Sequence, residues 1–313
     1  MFKVESKDYY LLAATGLEIR CSLRGKIKKE YELKGDKLYS IDIAAVGDNV
    51  EYEMNMDGTG VISEILPRRN HISRKAPKIK GASTRGERLE QIIACNIDNL
   101  IIVSSWNKPK FNNRLIDRLI VAGESSHINI IIVINKIDLD KLNEVTYWSD
   151  LYKGINYKVI ESSVVKSEGL DNLASCVNGK VNLFWGQSGV GKSSLLNEIY
   201  PRLKLKVGEI SNFSSKGKHT TVTSLMKRVE EDTFIIDTPG MREIDPYGIR
   251  KEDLGHYFVE FSKFQNECRF NTCTHYHEPN CAVINAVEKG LINSERYKSY
   301  LNILESIESD MNF

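Results

Sequence analysis

Nine consecutive residues near the middle of the chain, Gly186, Gln187, Ser188, Gly189, Val190, Gly191, Lys192, Ser193 and Ser194, join a glycine-rich turn to a lysine and two hydroxyls. Gly186, Gly191, Lys192 and Ser193 fit the spacing G-x-x-x-x-G-K-[ST]. The apolar run VNLFWG (181–186) leads in as a strand, and a helix is expected to open near Lys192. Backbone N–H groups of such a turn and helix N-terminus converge on phosphate oxygens. Lys192 would reach the β- and γ-phosphates and the Ser193 hydroxyl a Mg²⁺ ion. Downstream, TFIIDTPG (233–240) ends an apolar strand on Asp237, placed for an outer contact to that Mg²⁺, and Gly240 follows where a backbone N–H senses the γ-phosphate. Between them lies SSKGKHTTVTS (214–224), which offers Thr220 and Thr221 as the threonine that closes over Mg²⁺. Thr221 is the favoured ligand.

Base-recognition chemistry lies upstream. VINKID (133–138) carries N-K-x-D as Asn135, Lys136 and Asp138. A carboxylate accepts two hydrogen bonds from guanine N1–H and its 2-amino group. Adenine offers no such pair, and an unpaired buried carboxylate is costly, so a tenfold or greater preference for guanine follows. The Lys136 stem can lie along the base plane. About 25 residues on, ESSVV (161–165) follows another strand. Ser163 and Val164, with Ser162 competing, stand where a backbone N–H would meet guanine O6. Base recognition therefore precedes phosphate binding, a circular permutation of the common order. Neighbouring chain ends make such a permutation feasible.

No glutamine follows Gly240. Met241 cannot orient water, and Glu243 would set negative charge near the γ-phosphate. His219, in GKHTT, is the catalytic candidate, since a neutral imidazole can orient water. The alternative is a solvated loop histidine or a contact to RNA phosphate.

A second cluster reads CRFNTCTHYHEPNC (268–281). Cys268, Cys273, His275 and Cys281 supply three thiolates and an imidazole, a closed tetrahedral Zn²⁺ set of structural type, with His277 as the competing histidine. The remaining cysteines, Cys21, Cys95 and Cys176, are scattered, so the pattern is not a disulfide framework.

Positioning these groups takes more than one domain. The chain has 313 residues, 41% hydrophobic and 27% charged, with a formal net charge of +1, so global charge selects no partner. The N-terminus shows no secretory signal, and no apolar run is long enough to span a membrane. Residues 1–67 hold short β-like runs punctuated by glycine, which predict a small all-β barrel, an OB-fold being the favoured kind, with RNA as its ligand. Residues 68–88 carry eight Lys/Arg against one acid and read as an exposed basic linker; 68–97 lead into the next domain. From 98 to 245, buried-type strands alternate with helices, which predicts a mainly parallel sheet: a circularly permuted P-loop GTPase domain. Residues 246–313 read as a helical zinc-binding domain.

The permuted order together with the Cys₃His cluster, NKID, GQSGVGKSS, KGKHTT, DTPGM and EPNCAV resembles the ribosome small-subunit-dependent GTPase A family of bacterial permuted GTPases, over essentially the whole chain. The resemblance implies GTP/GDP, Mg²⁺ and one structural Zn²⁺ as bound groups. It implies a cytoplasmic, largely monomeric protein acting in late maturation of the small ribosomal subunit, in contact with its rRNA. Hydrolysis would be stimulated by that particle and coupled to release. It also implies that His219 is catalytic. ESSVV departs from the family's usual Ser-Ala at the O6 contact. Competing readings are a permuted relative acting on the large subunit, an RNA-binding module with negligible turnover, and a P-loop kinase.

Overall fold

The computed structural model describes residues 1–5, 8–33, 43–76, 89–205, 224–237 and 247–311. Among them, eleven strands form one continuous sheet. Its mainly parallel half comprises β8 (Asn99–Ser105), β9 (Asn129–Asn135), β10 (Lys158–Ser162), β11 (Val181–Trp185), β12 (Leu225–Glu230) and β13 (Thr233–Asp237), paired in the order β10-β9-β8-β11-β13-β12. The first four and β13 are parallel; only β12 runs antiparallel to its neighbour. The central strands β8 and β9 are almost continuously apolar because helices cover both faces. Leu100 and Ile102 of β8 face α2 (Asn113–Ser125) and α3 (Glu144–Gly154). Ile101 and Val103 face α4 (Leu170–Val177) and α5 (Lys192–Ile199).

The permutation is visible as a joint. Three residues, 178–180, connect α4 directly to β11, the strand that feeds the phosphate loop. Gly179 turns there at φ 68°. Asn182 closes the joint, its side-chain amide donating to the carbonyls of Val177 (2.8 Å) and Lys180 (2.9 Å) while its Oδ1 accepts from Asn99 (2.8 Å). These buried amides are satisfied, as burial demands.

The N-terminal strands β1 (Lys3–Glu5), β2 (Asp8–Leu12), β3 (Glu18–Leu23), β4 (Val50–Met54) and β5 (Gly60–Ile65) pair in the order β1-β2-β3-β5-β4. β3 and β5 are parallel, and a helix, α1 (Gly25–Leu33), lies between β3 and β4 in the chain. That is OB-fold connectivity. Alternation in β3, with Ile19, Cys21 and Leu23 inward, fills the small core. The α1 helix lies in a segment that carries no strong helical period. The unit is joined to the mainly parallel half by β1 against β12, with Lys3 opposite Leu225.

The segment expected to be an exposed basic linker differs where it is described. β6 (His71–Lys75) and β7 (Glu90–Cys95) form an antiparallel hairpin, anchored by Ile72, Ile93 and Ala94 in the main core. Its described arginines are engaged. Arg68 clamps the buried Asp48 carboxylate with two bonds of 2.7 and 2.8 Å, Arg69 pairs with Asp98 at 2.7 Å, and Arg74 donates to Gln91. Lys78, Lys80, Arg85 and Arg88 lie outside the described residues.

The C-terminal part has short 3₁₀ turns, then α6 (Ala282–Glu288) and α7 (Ser294–Met311). Phe258, Phe261, Val283, Tyr300 and Leu304 form its core, to which α2 contributes Val121. A buried ion triad ties the two parts. Arg296 of α7 donates to Asp117 of α2 at 2.6 Å and to both oxygens of Glu260 at 2.8 and 3.0 Å. No described helix is long and apolar enough to cross a membrane.

Candidate nucleotide and metal sites

The phosphate loop sits at the C-terminal end of β11, where parallel α/β sheets bind ligands. Glycine is required at two positions by contact. A Cβ on Gly186 would lie 2.1 Å from the Val103 carbonyl oxygen, and one on Gly191 would lie 2.3 Å from Asn135 Nδ2, at φ 101°. Gln187, Ser188 and Gly189 cross the turn, with Ser188 and Gly189 exposed, and Val190 anchors it in the core. Ser193 is buried in the first turn of α5 and Ser194 follows half-buried. The Lys192 ammonium folds back on the loop, donating to the carbonyls of Gly186 (2.6 Å) and Gln187 (3.1 Å). Burial pulls its pKa down to about 8, against the charge of Asp237 at the end of β13, which acts the other way. Such a partly desolvated cation inside a ring of backbone amides fits an incoming phosphate chain.

The N-K-x-D residues meet this loop directly. Asn135, buried at the end of β9, donates to the Val190 carbonyl at 2.9 Å and accepts from Ser162 Oγ at 3.2 Å. Lys136 adopts the left-handed conformation at φ 62° and donates to the Gly189 carbonyl at 2.7 Å and to the Lys108 carbonyl. It therefore ties the phosphate loop to the segment between β8 and α2. Nothing in the sequence signalled that second contact. Asp138 accepts from Ser163 Oγ at 2.5 Å, which brings the ESSVV loop beside the carboxylate expected to read the base. The Ser163 N–H is consumed by the Glu168 carbonyl at 3.1 Å. Among the described residues the Val164 N–H has no acceptor. Of the two expected O6 donors, Val164 is thus the one the loop leaves open. His219, Thr220, Thr221, Gly240, Met241 and Glu243 lie outside the described residues.

The second cluster closes as its spacing predicts. The Sγ atoms of Cys268, Cys273 and Cys281 and a ring nitrogen of His275 all lie within 4.8 Å of one another. Cys268 Sγ to Cys281 Sγ is 3.8 Å, and His275 Nδ1 is 3.6 and 3.3 Å from those two sulfurs. A tetrahedral Zn²⁺ with Zn–S of about 2.3 Å and Zn–N of about 2.0 Å would set sulfurs ~3.8 Å apart and N and S ~3.5 Å apart. The cage fits. His277 is exposed and takes no part in it. Tyr297 donates to the His275 carbonyl at 2.7 Å and Tyr300 to that of Thr274, fixing the knuckle from α7. Glu278 accepts from Thr274, Tyr276 and His277; burial pushes its carboxyl up, but the bonds from Thr274 and Tyr276 outweigh this and hold it down at about 2.

Residues 65–247 match the model of the RsgA GTPase family. The chain belongs to the RsgA GTPase family. The family's activity is GTP hydrolysis, and the chain is a GTPase. Among curated relatives, the "Small ribosomal subunit biogenesis GTPase RsgA 2" of Bacteroides thetaiotaomicron is 39% identical over 303 residues, spanning 96% of this chain and 94% of its own length. The "Small ribosomal subunit biogenesis GTPase RsgA" of Chlorobaculum parvum is 36% identical over 310 residues, with 98% and 96% covered. Among solved structures, YjeQ from Thermotoga maritima aligns with a TM-score of 0.73 at 30% identity, over 98% of this chain and 96% of that one. YloQ, described as a circularly permuted GTPase, aligns at 0.71 and 28% identity, over 99% and 94%. The RsgA assignment agrees with the OB connectivity, the permuted strand order and the Cys₃His cage found here.

Proposed function

We propose that this RsgA-family GTPase acts in late maturation of the small ribosomal subunit, binding the particle and its rRNA in the GTP state and leaving it on hydrolysis. The observation that supports the enzymatic half is the direct bonding of Asn135 and Lys136 to the carbonyls of Val190 and Gly189, which brings the expected base-reading and phosphate-holding elements together. The biogenesis half rests on the relatives that match along nearly the whole chain, which are named as small ribosomal subunit biogenesis GTPases.

In this reading Asp138 pairs with guanine N1–H and the 2-amino group, the Val164 N–H meets O6, and Ser163 orients Asp138. The loop of residues 186–191 supplies backbone N–H groups to the phosphates. Lys192 exchanges its loop carbonyls for β- and γ-phosphate oxygens. Ser193 and Thr221 would hold Mg²⁺, with Asp237 an outer partner; bound there, Mg²⁺ neutralises charge that builds on the transferred phosphoryl group. Gly240 reports the γ-phosphate, and His219 orients the attacking water. Zn²⁺ in the cage of Cys268, Cys273, His275 and Cys281 would staple the C-terminal turns. The protein acts as a cytoplasmic monomer.

The test is steady-state GTP hydrolysis without particles, with purified small subunits and with purified large subunits. Stimulation by small subunits alone is expected, with His219→Ala losing that turnover while keeping nucleotide affinity. Equal stimulation by both particles, or by neither, would overturn the reading.

A further inference from the structure

A groove of about 420 Å³ runs between α3 of the GTPase domain and the turn joining α6 to α7. Tyr147, Leu151, Ile155 and Leu291 form its walls, and the Glu260–Arg296 ion pair forms its floor. Tyr147 is 52% exposed and Leu291 64%, two of the few large apolar side chains that the described surface leaves open, and both rim this one groove. The Tyr147 ring is held in place: its hydroxyl accepts from Asn293 at 2.8 Å and its ring meets Trp148 edge-on. Asp150 stands exposed on the wall, and its carboxylate has no partner among the described residues. Gly154 adds no side chain, and a Cβ there would meet nothing within 4 Å. The groove is therefore preformed, with apolar walls, and the one lining charge left without a partner among the described residues is the Asp150 carboxylate at its mouth. The one cation lining it, Arg296, is already spent on Asp117 and Glu260.

We propose that this groove docks a basic protein segment, one that lays an aliphatic or aromatic side chain between Tyr147 and Leu291 and sets a Lys or Arg against Asp150. The proposal rests on the reading above, in which the partner is a particle of RNA and protein. Charge decides between the two components: an acidic mouth repels phosphate and attracts a cationic chain. Apolar anchors seated in a pocket with a charged rim are the usual anatomy of protein interfaces. Because one wall comes from each domain, the segment would contact the GTPase and zinc-binding parts together.

The full chain, with Leu291 replaced by the photo-crosslinker p-benzoylphenylalanine, would be mixed with purified small subunits and a non-hydrolysable GTP analogue, then irradiated. Sedimentation of the same mixture reports particle binding separately. The expected result is an adduct destroyed by protease and spared by RNase, with yield falling about fivefold in Asp150→Lys, the scale of reversing one exposed ion pair. An RNase-sensitive adduct, a dimer of the chain formed without particles, or no adduct despite co-sedimentation would each overturn the docking proposal alone. Failure to co-sediment would overturn the ribosomal reading, and the docking proposal with it.

Discussion

Arg296→Met cuts the tie between the GTPase and zinc-binding parts, and its cost can be worked from the triad. The guanidinium side chain is 1% exposed, Asp117 0% and Glu260 8%. Removing it strands two carboxylates away from water, and breaking a buried pair in this way costs about 3–5 kcal/mol. Met retains part of the stem packing, while the cation over the Phe258 ring at 4.6 Å is lost. Asp117 decides the pH dependence. Burial already pushes its pKa up, and Arg296 is the main influence pulling it down. Without Arg296 the carboxyl rises further and is taken up protonated. A group whose folded pKa is raised contributes stability at low pH and loses it as pH rises through that value. The deficit of Arg296→Met should therefore be largest above neutrality and shrink toward pH 5. Hydrogen exchange of α7 amides, read against urea unfolding at pH 5.5 and 8, measures it. A loss below about 1 kcal/mol, or one equal at both pH values, would refute the view that the triad is a desolvated ionic tie.

Two further outcomes follow from the sites. Because burial lowers the Lys192 pKa to about 8 in the nucleotide-free protein, and bound phosphates would keep it charged, GDP affinity should fall about fourfold from pH 7 to 8.5; calorimetry showing a flat profile would contradict the desolvated-lysine geometry. The same depression makes Lys192 favour the folded state as pH rises from about 8 toward its ordinary value of 10.5. Chelation of zinc, or Cys273→Ser, should remove exchange protection from α6 and the Tyr297 and Tyr300 contacts. GDP binding should survive, since no cage residue touches the phosphate loop; loss of both together would show that the cage supports the whole fold.

Much of this was legible in the sequence because its signals are local. The continuous runs of β8 and β9 mark strands buried on two faces, and the Cys/His spacing over fourteen residues is itself the cage. What escaped is either weakly patterned or long-range. In β6 only Ile72 is fully buried, so a hairpin strand reads as a charged linker; the QIIAC run of β7 was the available clue. Arg68 looks like a free cation until Asp48, 20 residues earlier, folds beneath it. Arg296 meets Asp117 across 179 residues of chain, a pairing that periodicity does not reveal. Lys136 reads as a base-stacking stem, yet its ammonium is a clasp on the Gly189 carbonyl.

In the proposed function, base-reading and phosphate-holding elements, inverted in the chain, form a single guanine site. Nucleotide affinities of Asp138→Asn test it most directly. An amide in place of the carboxylate donates where guanine also donates, and two charge-assisted bonds of roughly 1.5–3 kcal/mol each are lost, so GTP should weaken by about 100-fold or more. Xanthosine triphosphate, which presents a carbonyl at that edge, should gain affinity. If Asp138→Asn kept the wild-type preference for GTP over both ATP and xanthosine triphosphate, the base would be read elsewhere and the single-site claim would fall.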